Sequence, residues 1–282
     1  MSIIEAIFLG IIQGLTEFLP ISSTGHLTVA GKLMNLISSE SPEHWTAFIA
    51  VIQLGTMTAV LIYFWNDLWS ILISFFRENL FTRKKYSDQS DSSRLGWQII
   101  VGSIPVVIIG LGFKHVIEGA FTKNLIVISA SLIILGLILA IAEKSGKFKK
   151  ELKDVTMLDA FIVGIAQSFA LIPGSSRSGT TITAGLFLGF KREAAARFSF
   201  LLSVPAVLGS GLLEFYQSLK FINYSGMINL IIATAASAVV GYITIEYLLR
   251  YLRKNTTYIF VFYRIFLGIL ILAMIGIHII SP

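Results

Sequence analysis

The chain has 282 residues, of which 55% are hydrophobic and only 13% charged, with a formal net charge of +6. That balance excludes an ordinary soluble domain, in which about a quarter of residues are charged. The lack of cysteine excludes disulfides, thiolate metal sites and a cysteine nucleophile.

Residues 1–33 open the chain with two short apolar stretches broken at their middle by Pro20, Ser22 and Ser23. No basic leader region or small-residue cleavage site precedes them, so a removable signal peptide is not expected. A first full crossing is predicted at 46–66. The polar stretch 67–94, containing Arg83-Lys84-Lys85-Tyr86-Ser87-Asp88, has the composition of a mobile loop. Crossings follow at 95–113 and 124–142, then a lysine-rich linker at 143–154. Residues 156–190 repeat the opening pattern: two short apolar stretches interrupted by Pro173 and serines. Crossings at 194–215, 227–249 and 258–280 complete the chain. The six crossings each approach the ~20 apolar residues that a bilayer requires.

The two broken segments are similar in detail. Gly10–His26 reads GIIQGLTEFLPISSTGH and Gly164–Thr181 reads GIAQSFALIPGSSRSGTT. Both run Gly, two apolar residues, Gln, an apolar run, Pro and a Ser pair. Paired apolar segments interrupted by Gly and Pro in two halves of a membrane protein point to a binding site. The expected fold is therefore all-α: a polytopic membrane protein of six transmembrane helices and two re-entrant hairpins. Residues 1–142 form a first repeat and 156–282 a second, in one integrated membrane domain.

The basic residues orient this scheme. Loops 67–94, 143–154, 191–197 and 250–254 carry 16 of the 22 Lys and Arg, while 1–45, 114–123 and 216–226 carry 4. Such a bias places the first set in the cytoplasm, and it explains the +6 without nucleic acid. The first hairpin then enters from outside and the second from inside, an inverted-topology repeat with both tips near the midplane.

The tips carry the chemistry. Ser22 and Ser23 after Pro20, and Ser175 and Ser176 after Pro173, suit helix N-caps. Two helix N-termini facing one spot make an anion site. Arg177 sharpens it, since an intramembrane guanidinium is a functional candidate by default and its planar fork suits phosphate oxygens. The simpler alternative is a structural pair with Glu17. Gln13 and Glu17, at i and i+4, share a helix face; Glu17 could help hold a divalent cation or orient a histidine. His26 follows Ser23 by one turn and could be acid, base or nucleophile. Ser22, Ser175 and Ser178 could be caps alone, whereas Ser23 is better placed as a nucleophile. Ser176, Thr180 and Thr181 could offer hydroxyls to phosphate, and Gly25, Gly174 and Gly179 would let backbone approach an anion. His44, His115 and His278 have no assigned role. Glu246 and Arg264 are expected to pair near the cytoplasmic ends of adjacent spans, and Glu214 lies near an outer end.

The strings EFLPISSTGH (17–26) and PGSSRSGTT (173–181) resemble those of the bacterial undecaprenyl-diphosphate phosphatases, the BacA-type bacitracin resistance family. The resemblance covers essentially the whole chain. It implies a multi-pass enzyme of the bacterial cell membrane, among membrane lipids; the diphosphate is expected to reach the midplane site from the outer side. Such an enzyme cleaves undecaprenyl diphosphate to the monophosphate carrier used in peptidoglycan synthesis. The family motif Glu/Gln-x-x-x-Glu is matched by Gln13 and Glu17, so here it holds one carboxylate. The motif Pro-Gly-x-Ser-Arg-Ser-x-x-Thr is matched from Pro173 to Thr181. It carries over Ser176, Arg177 and Thr181 as phosphate contacts, with Gly174, Ser175 and Ser178 beside them. Ser23 and His26 match the family's proposed catalytic pair. A divalent cation, Mg²⁺ or Ca²⁺, near Glu17 is implied by the resemblance. Oligomeric state, including a homo-oligomer, stays open.

The expected mechanism has Ser23 attack the terminal phosphorus with His26 as base; in a variant, His26 is itself the nucleophile. A rival from another class is a transporter or flippase that binds a lipid phosphate or anion at the same site without cleaving it. The lipid phosphatases with a Pro-Ser-Gly-His step are set aside, because Ser22–His26 is only loosely similar and no Arg-Pro motif follows.

Overall fold

The computed structural model describes residues 1–37, 42–113, 124–219 and 224–281. The expected outer loop 114–123, with His115, and part of 216–226 lie outside them. Among the described residues the structure is helical, apart from an isolated β-bridge between Lys150 and Phe190. Six helices among the described residues are long and apolar enough to cross a bilayer. They are α3 (Pro42–Tyr63), α5 (Asp91–Gly112), α6 (Leu125–Ser145), α9 (Arg192–Ser218), α10 (Tyr224–Lys254) and α11 (Tyr258–Gly276). These are the six expected crossings, with ends shifted by a few residues. The chain is a multi-pass membrane protein.

The broken segments are pairs of short helices. The first pair is α1 (Ile3–Thr16) and α2 (Ser23–Leu33); the second is α7 (Met157–Ser168) and α8 (Arg177–Phe187). At ~1.5 Å per residue none of the four spans the ~30 Å hydrocarbon core. In each pair the two helices pack on one another. The ends of the second pair meet, since Lys149 and Lys150 donate backbone N–H groups to Gly189 and Lys191 donates back to Lys150.

The stretch expected as a loop at 67–94 is corrected. Residues Trp65–Phe76 form α4, followed by a π-helical turn at Arg77–Phe81 and a 3₁₀ turn at Tyr86–Asp88. Trp65, Trp69, Leu72, Ile73 and Phe76 are exposed on α4. An amphipathic helix with aromatic residues on its outer face suits the lipid–water boundary. Its polar residues had hidden a helical period.

The packing of short helices on spans follows a pattern. α1 packs on α10 and α7 on α5; α3 packs on α10 and α9 on α5; α3 meets α9, and α6 meets α11. The pattern is unchanged when the helices of the two halves are exchanged in order. The contacts that set it are backbone-close. A Cβ at Gly10 would strike the carbonyl of Ala233 on α10, and one at Gly164 would strike that of Gly102 on α5. Lipid tails give helices no hydrophobic reason to associate, so close approach of small residues supplies the attraction instead.

On the face where the loops collect, Glu143 at the end of α6 is 4% exposed. It accepts from the Arg192 guanidinium and from the backbone N–H and hydroxyl of Thr257. One carboxylate thus ties α6, α9 and the α10–α11 connection.

Candidate active site

The two tips are built alike. Ser22 caps α2 at φ 74°, its Oγ accepting from the Gly25 N–H at 3.2 Å. Ser176 caps α8 at φ 67°, its Oγ accepting from the Gly179 N–H at 3.1 Å. A left-handed backbone at a non-glycine residue costs on the order of 1–3 kcal/mol and is kept only where the surroundings impose it. Gln13 precedes Ser22 and Gln167 precedes Ser176 by the same interval. The structural equivalence is therefore Ser22 with Ser176, one step off the matching of Ser22-Ser23 with Ser175-Ser176 that the sequence suggests. Ser23 and Arg177 occupy the same position, the first residue of each second helix.

Both turn toward Glu17. Its Oε2 accepts from the Ser23 hydroxyl at 2.6 Å and from Gln13 Nε2 at 2.9 Å. Its Oε1 accepts from Arg177 Nη2 at 2.9 Å. The carboxylate is buried and the Arg177 side chain only 13% exposed, so a charged pair joins the hairpins in a low-dielectric setting. Arg177 Nη1 and Gln13 Oε1 are buried with no hydrogen-bond partner among the described residues. Buried polar atoms are rarely left unpaired. The donor and the acceptor on either side of one carboxylate leave hydrogen-bonding capacity that a polar ligand could take up.

The remaining hydroxyls are arranged differently. Ser178 donates to the Leu19 carbonyl at 3.0 Å, stitching the second tip to the first. Thr181 lies 2.6 Å from the Ser199 hydroxyl and donates to the Arg177 carbonyl. Thr180 also donates to that carbonyl. Ser175 gives its carbonyl to Arg264, and its buried Oγ has no partner among the described residues. Gly174, at φ 84°, lies against the backbone of Ile128. Ser178 and Thr181 thus hold the tip, and Arg177 turns its guanidinium to Glu17.

His26 is at the same tip, but its ring bonds elsewhere. Nδ1 lies 2.7 Å from the Ser22 carbonyl and Nε2 2.7 Å from the Tyr263 hydroxyl. The hydroxyl of Ser23 is on Glu17, not on His26, so the expected Ser23–His26 contact is replaced by Ser23–Glu17. Among the described residues no three His, Cys, Asp or Glu form a metal-holding group.

The sequence reading missed Arg264 and Tyr263. The expected Glu246–Arg264 pair is not made: Glu246 bonds Arg250 and the Tyr63 hydroxyl. Arg264 is fully buried and donates to the carbonyls of Pro20 at 3.2 Å, Ser175 at 3.0 Å, Leu132 at 3.3 Å and Ser131 at 3.4 Å. One guanidinium therefore holds both tips, and Gly179 leaves room for it, since a Cβ there would strike its Nη1. The available signal was an arginine amid a wholly apolar span. No sequence signal marked Tyr263.

A family model described as bacitracin resistance protein BacA matches residues 6–270. An undecaprenyl-diphosphatase of Syntrophobacter fumaroxidans (strain DSM 10017 / MPOB) is 59% identical over 99% of both chains. Undecaprenyl-diphosphatases of Chlorobaculum tepidum and Chloroherpeton thalassium are 48% and 49% identical over 98% of both chains.

Proposed function

We infer the function from one premise: the chain belongs to the bacitracin resistance protein BacA family. It is a membrane hydrolase that cleaves undecaprenyl diphosphate to undecaprenyl phosphate and inorganic phosphate, recycling the lipid carrier of peptidoglycan synthesis and giving bacitracin resistance. The observation that carries the site assignment is the Glu17 carboxylate, shared between the Ser23 hydroxyl of one hairpin and the Arg177 guanidinium of the other.

The chemistry follows from those contacts. The terminal phosphate docks on Arg177, whose Nη1 has no acceptor among the described residues, and on the N-terminus of α8. Ser23 Oγ forms a bond to the terminal phosphorus as its proton passes to Glu17, 2.6 Å away. The bond to the bridging oxygen breaks and undecaprenyl phosphate leaves. Water then attacks the phosphoserine, releasing inorganic phosphate and restoring the hydroxyl. Positioning and charge stabilisation supply most of the acceleration in such transfers. His26, through its Nε2, takes a proton from that water as the phosphoserine is hydrolysed; in the variant mechanism it is itself the nucleophile. The Glu17 carboxylate and Gln13 Oε1 suit a Mg²⁺ or Ca²⁺ ion of the sparse kind completed by water and substrate oxygens. When bound, it would neutralise phosphate charge.

The reading extends to topology: hairpins 1–33 and 156–190 are re-entrant, in inverted halves, and the site opens to the outer face of the bacterial cell membrane. Three things support it: the 16-to-4 split of basic residues, the closed ends of the second pair, and the attachment of the pairs to spans. The Met1 carbonyl accepts from Asn229 early in α10, and the Val155 carbonyl from Gln98 early in α5. By the charge rule those two spans start on opposite sides.

Phosphate release from undecaprenyl diphosphate by the purified protein tests the function. Glu17→Gln and Arg177→Ala should each lower kcat at least ~100-fold. Undiminished release by both would remove these residues from the mechanism. A rapid-quench adduct stable to acid assigns Ser23 as nucleophile; an acid-labile one assigns His26.

A further inference from the structure

His26 makes one contact that the scheme above leaves without a role. The Ser22 carbonyl can only accept, so the Nδ1 facing it at 2.7 Å carries the proton. In the neutral ring Nε2 is then the lone pair, to which the Tyr263 hydroxyl, 2.7 Å away, donates. The two rings lie nearly parallel, 8° apart with centroids at 5.6 Å. The imidazole is thus held on both nitrogens, by its own hairpin and by α11. Tyr263 is itself fixed in place, because the next residue is Arg264, seated on the carbonyls of both tips.

We propose that Tyr263 is a positioning residue for His26. Its hydroxyl fixes the rotation of the ring and covers Nε2 until the diphosphate enters, so that the imidazole meets substrate aimed by that nitrogen. This rests on the phosphatase reading above. Tyr263 acts through His26 and needs no contact with the phosphorus.

The test is Tyr263→Phe, which removes one oxygen from a residue 41% exposed and keeps the ring. With undecaprenyl diphosphate, kcat should fall about tenfold while KM stays within about twofold, as expected when a group orients a catalytic residue. Carbethoxylation by diethyl pyrocarbonate, followed at each histidine by mass spectrometry, gives a readout independent of turnover. His26 should react several-fold faster in the variant, and exposed His278 should serve as an unchanged reference. Wild-type kcat with an unchanged His26 rate would overturn the proposal, as would a raised KM with unchanged kcat. Should the variant not fold, the unsubstituted protein decides: His26 reacting as fast as His278 overturns the covering of Nε2. Absence of phosphate release from the unsubstituted protein would instead refute the phosphatase reading, with the labelling result still interpretable.

Discussion

Two arginines meet the hairpin tips and their surroundings divide their roles. Arg177 has a carboxylate on one nitrogen and, among the described residues, no partner on another, so it keeps donor capacity for an incoming anion. Arg264 is occupied by backbone carbonyls on every side, so its task is to hold. Replacing Arg264 with Met strands the carbonyls of Pro20 and Ser175 in a dry interior, at about 1–3 kcal/mol each. The melting temperature in detergent should drop clearly and phosphate release should fall with it. Arg264→Lys should lie between, because an ammonium lacks the fork that reaches both tips. An unchanged melting temperature for Arg264→Met would mean that something else fixes the tips. Glu17, Ser23, His26 and Arg177 were legible in the sequence as polar residues at breaks in apolar segments. Arg264 was equally visible, but its partner was not. A lone charge in a span can face any of several helices, and only packing chooses among them.

The caps of α2 and α8 pose a sharper question at the level of elements. Ser22 and Ser176 combine a left-handed backbone with a side-chain cap, two demands that ordinarily favour different residues. Glycine answers the first and loses the second; alanine fails both. The expected order of stability at each position is therefore Gly at or above Ser, then Ala. Glycine loses the cap at a few tenths of a kcal/mol and sheds a backbone cost of about 1–3 kcal/mol; alanine keeps that cost and loses about 1 kcal/mol of cap. Thermal melts of the four single variants check this, and alanine matching glycine would contradict the reasoning. The repeat of short helices was plain in the sequence, since the two strings share residue types at equal intervals. Its register was not, because adjacent serines look interchangeable until a backbone angle separates cap from neighbour. α4 was missed for another reason: its apolar face meets lipid, so its pattern merges with the end of α3 and its polar residues read as loop.

For the whole molecule, the consequence to test is the opposite attachment of the two helical pairs. Residues 1–33 lean on α10 and residues 156–190 on α5, through glycines that admit no side chain at the crossing. If α5 and α10 start on opposite faces, a tip of each pair can reach Glu17 from its own side, and the anion is gripped by two elements with no covalent tie nearby. Such a site needs the interface between halves to stay shut around it, which the Glu17–Arg177 pair and the Ser178–Leu19 contact provide at its centre. The cysteine-free chain makes the topology directly measurable. A single Cys at exposed Leu33, the end of the first pair, should react with a membrane-impermeant maleimide in intact cells. A Cys at exposed Lys153, before the second pair, should react only after permeabilisation. Labelling of both from the same side would place the pairs on one face. The shared carboxylate would then need a route between the tips other than meeting in mid-membrane.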